Sequence, residues 1–79
     1  MANALQEHYS ELLLDRIRAD RYPSADLMNI LEQIAPPRTL VEYTIHLIER
    51  IENDTYPSIS MLQRVQRLVA RWGLELPPG

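Results

Sequence analysis

The chain contains no cysteine and only two glycines, and all eight of its basic residues are arginine. The missing thiols exclude disulfide staples, thiolate zinc sites and cysteine nucleophiles together. With glycine confined to Gly73 and Gly79, no glycine-rich phosphate loop can be written. A nucleophile elbow and a Cys/His pairing are missing as well. No apolar run approaches the roughly 20 residues of a membrane span, and no basic stretch leads into an apolar segment at Met1, so a cytoplasmic protein is expected. Strands are not expected either, because period-two alternation bounded by turn residues is nowhere present. These absences leave no basis for catalysis, and neither an enzyme nor a cofactor is expected.

The lack of lysine fits the codon bias of a GC-rich bacterial genome. It has a physical consequence too, since arginine forks match carboxylate partners better than lysine does. A formal charge of −3 disfavours non-specific attraction to phosphate backbones. At 79 residues the chain is small. Domains of this size bury roughly 60% of the unfolded surface and are marginally stable, which favours a partner. With 46% hydrophobic and 24% charged residues a folded core is nevertheless expected.

What the chain does have is a repeat. Tyr22-Pro23-Ser24 returns as Tyr56-Pro57-Ser58, and Arg16-Ile17, Asp20 and Leu27-Met28 return at the same offset as Arg50-Ile51, Asp54 and Met61-Leu62. Each unit of such a repeat presents an apolar face that only a neighbour can cover.

Helical spacing of Leu5, Tyr9, Leu12, Leu13 and Ile17 predicts a first helix over about residues 3–19. Pro23 forbids its continuation and Ser24 is placed to cap a second helix, whose stripe is Leu27, Met28, Leu31 and Ile34. Pro36-Pro37 ends that helix. Thr39-Leu40-Val41-Glu42 fits a capping box and predicts that the third helix starts at Thr39. Its apolar residues Leu40, Val41, Tyr43, Ile45, Leu47, Ile48 and Ile51 form an arc too wide for one neighbour, which predicts contact with partners on two sides. Ser58 is expected to cap a fourth helix with the core face Met61, Leu62, Val65, Leu68, Val69 and Trp72. Gly73 is expected as a left-handed terminator with Leu74 folding back. The fold class expected is all-α: four antiparallel helices built as two pseudo-repeated hairpins, one helical domain over residues 1–76 with a flexible tail at 77–79. Both Tyr-Pro-Ser turns are expected at one end of it.

Three sets of residues are candidates for function. Tyr22 and Tyr56, with Arg21 beside the first, are either helix-start residues with the ring laid over the first turn or a paired aromatic docking patch. Arg64, Arg67 and Arg71 recur at helical spacing and make one basic face, either solvated or turned to an acidic protein surface or to nucleic acid. His8 with Glu11, and His46 with Glu49 and Glu42, are His-x-x-Glu pairs on predicted polar faces. Metal-binding bundles need more such ligands pointing inward, so no metal is expected.

The 34-residue period is also that of tetratricopeptide repeats, although their tryptophan, glycine, alanine and proline positions are not reproduced. The segment Ile48-Glu49-Arg50-Ile51-Glu52-Asn53, with Pro57-Ser58, Leu62 and Val65, resembles the end of the recognition helix and the following helix in the Cro/repressor class. The chain departs from that class at Pro36-Pro37 and at Asp54, and shares with it the cap-and-turn chemistry. The function expected is a non-enzymatic interaction or self-assembly module with a protein partner or itself, as a homo-oligomer. The alternative is a dimeric DNA-binding regulator using the arginine face.

Overall fold

Asn3 opens the first helix: its Oδ1 accepts a 2.7 Å hydrogen bond from the Gln6 N–H, satisfying one of the donors that a helix start leaves over. In the computed structural model, which describes residues 3–73, this helix is α1 (Ala4–Ala19), followed by α2 (Ala25–Ile34), α3 (Pro37–Asn53) and α4 (Ile59–Trp72). The described residues are all-helical apart from turns, with no strand. Asp20 ends α1 in an extended conformation, its N–H reaching the carbonyls of Arg16 and Ile17.

Two of the remaining starts are built alike. Ser24 Oγ accepts from the Leu27 N–H at 3.1 Å, and Ser58 Oγ accepts from the Met61 N–H at 3.0 Å. The two serines share their backbone as well, at φ −68° and ψ 145° against φ −69° and ψ 143°. Ahead of them the Asp20 and Asp54 N–H groups bond to the carbonyls of Ile17 and Ile51, both at 3.3 Å. Equivalent residues at the two Tyr-Pro-Ser turns therefore take equivalent local conformations.

The start of α3 differs from expectation. Thr39 is not its cap but lies inside the first turn, buried, and Pro37 is the first helical residue. Proline suits that position because its fixed φ is helical and the N–H it lacks would be unsatisfied there in any case. The Pro36 carbonyl accepts from the Leu40 N–H at 2.9 Å and opens the ladder. Gly73 ends α4 at φ 58° and ψ 37°, in the left-handed region that glycine enters without a Cβ penalty, and its N–H bonds to the Val69 carbonyl. The Trp72 side chain, Leu74 and the Pro77-Pro78-Gly79 tail lie outside the described residues.

The chain divides into two compact units, Met1–Leu40 and Val41–Gly79. In the first, α1 packs on α2, and Gln6 near the start of α1 donates from its side chain to the Ile34 carbonyl at the end of α2. The two helices therefore run antiparallel. Leu13, Leu14 and Ile17 are the buried apolar residues of α1, with Ser10 on the same face, and Met28 and Leu31 are those of α2. Fully burying one such aliphatic side chain contributes about 1.5–3 kcal/mol, so this small set is the unit's main source of stability. The predicted stripe of α1 is corrected here. Leu5, Tyr9 and Leu12 are exposed, because the sequence stripe is really two adjacent ones and a ten-residue α2 has area to cover only one.

In the second unit Tyr43, Thr44 and Leu47 of α3 are buried, as are Arg64 and Leu68 of α4. No member of the apolar arc of α3 is exposed: Val41, Ile45, Ile48 and Ile51 are half-buried. Two members of the core face predicted for α4, Leu62 and Val69, are exposed instead. The inward face is centred on Leu68, which draws in Arg64 one turn earlier and leaves those two on its outer edge.

Candidate functional site

The tyrosines of the two turns project into solvent. Tyr22 is 83% exposed and Tyr56 90%, so neither ring is laid over the first turn of the following helix. The helix-start role belongs to the proline and serine alone. The Arg21 guanidinium sits over the Tyr22 ring at 5.7 Å from its centroid, a contact worth about 0.5–1 kcal/mol at an exposed site.

The arginines of α4 do not form one exposed face. Arg67 and Arg71 are exposed, whereas Arg64 is buried. It sits one turn before Leu68, the most deeply buried described residue of α4, so its methylenes are covered with that residue, while Arg67 is turned about 100° away. The acidic ridge of α1, Glu7, Glu11 and Asp15, is exposed, and Asp15 pairs loosely with Arg18 at 3.9 Å. Such an exposed pair contributes little.

His8 and Glu11 are exposed on α1. His46 is half-buried and its Nε2 accepts a 2.8 Å hydrogen bond from Arg50 Nε, which commits that nitrogen to a guanidinium donor. Among the described residues no group of three or more potential ligands converges as a metal site would require.

Two exposed apolar surfaces stand out, made largely of residues expected in the core. On α1, Leu5 is 83% and Leu12 52% exposed, with Tyr9 between them. This stripe runs into an open groove of about 510 Å³ between α1 and α2, floored by Leu13 and Leu27 and edged by Leu12, Ala19, Arg16 and Asp20. On α4, Ile59 is 67% exposed, and Leu62 and Val69 continue the same side.

Tyr9 and Leu13 return at the offset of the turn motif as Tyr43 and Leu47, with Ser10 and Leu14 replaced by the similar Thr44 and Ile48. Burial differs between equivalent positions, and in both directions: Ile17 is buried and Ile51 half-buried, Ile30 exposed and Arg64 buried. Thr39 and Tyr43 of α3 are buried but their equivalents Leu5 and Tyr9 of α1 are exposed, and Met28 of α2 is buried but its equivalent Leu62 of α4 is exposed. Comparison with protein-family models, with characterised proteins and with solved structures finds no match. Among the described residues no helix is long and apolar enough to cross a membrane.

Proposed function

We propose that this protein is a non-enzymatic helical interaction module, two pseudo-repeated hairpins whose exposed apolar residues on α1 and α4 dock a protein partner or a second copy. The observation that carries the reading is the exposure of Leu5, Tyr9 and Leu12 on α1 and of Ile59, Leu62 and Val69 on α4, with few fully buried apolar side chains among the described residues. Scattered surface leucines need no explanation, but contiguous apolar stripes mark interaction surfaces. The hairpin repeat is supported by the matched serine caps.

The wide apolar arc of α3 no longer supports self-association, since none of it is exposed; that support passes to α1 and α4. A DNA-binding role for the arginine face loses one of its three residues to burial. Light scattering from micromolar to millimolar protein tests the reading. A weight-average mass that climbs above the 9.2 kDa of one chain is expected. A mass that stays at one chain throughout removes the self-association arm.

A further inference from the structure

We draw no further inference here: the strongest candidate, the open groove between α1 and α2 floored by Leu13 and Leu27 and edged by Leu12 and Arg16, carries none because nothing in the structure shows what covers it.

Discussion

Ser24 and Ser58 do the same work in the two copies of the turn, each giving its hydroxyl oxygen to the N–H three positions on. Replacing either by alanine removes the acceptor and leaves that donor to water, so Ser24→Ala and Ser58→Ala are each expected to lower stability by about 1 kcal/mol in urea denaturation. Similar losses at the two sites would show that the copies are energetically as well as geometrically alike. Gly73→Ala is expected to cost about 1–2 kcal/mol. A Cβ there meets no atom within 4 Å, so the cost is the left-handed backbone alone, and asparagine should recover part of it. Ser10 predicts the opposite sign. Its Oγ is buried without a hydrogen-bond partner, so Ser10→Ala is expected to leave the thermal midpoint unchanged or raise it.

At the scale of the element, α1 shows how a helix can be read correctly in extent and wrongly in face. Its ends were legible because Asn3 and the Tyr-Pro-Ser turn act locally, through hydrogen bonds that reach only a few residues. Its buried side was not, because Leu5, Tyr9, Leu12, Leu13, Leu14 and Ile17 together cover more than half the circumference. Which part of that circumference is covered depends on α2 and its length. The difference is measurable. Leu31→Ala and Leu47→Ala, at positions with no exposure, are expected to cost about 2–5 kcal/mol, enough to unfold a marginal domain. Leu12→Ala, measured at concentrations too low for association, is expected to stay within about 0.5 kcal/mol. If Leu12→Ala proved as damaging as Leu31→Ala, the exposed α1 stripe would have to be abandoned.

For the whole molecule, the proposed association through the exposed apolar stripes is expected to depend on concentration. An apolar contact of this kind is expected to change little with salt, so the association constant should stay within a modest factor as salt is raised. Duplex DNA provides a contrasting readout. With two exposed arginines on α4 and a net charge of −3, no saturable binding to mixed-sequence duplex is expected even at low salt. Binding that fell steeply with salt and was lost in Arg67→Ala would restore the regulator reading. The arginine face was legible as a spacing and misleading as a surface, because spacing alone does not reveal that Leu68 pulls Arg64 inward.

The four helices, their ends and the recurrence of the Tyr-Pro-Ser turn were determined by the chain itself, since caps, prolines and helical periodicity act over a few residues and need no distant partner. The absence of thiols and glycine loops likewise needed no structure to be informative. Tertiary packing decided which half of each broad apolar arc is covered. It buried Tyr43 and exposed its equivalent Tyr9, buried Met28 and exposed Leu62, and took Arg64 out of solvent. Burial depends on what lies opposite a residue, which the few residues around it in the sequence do not specify.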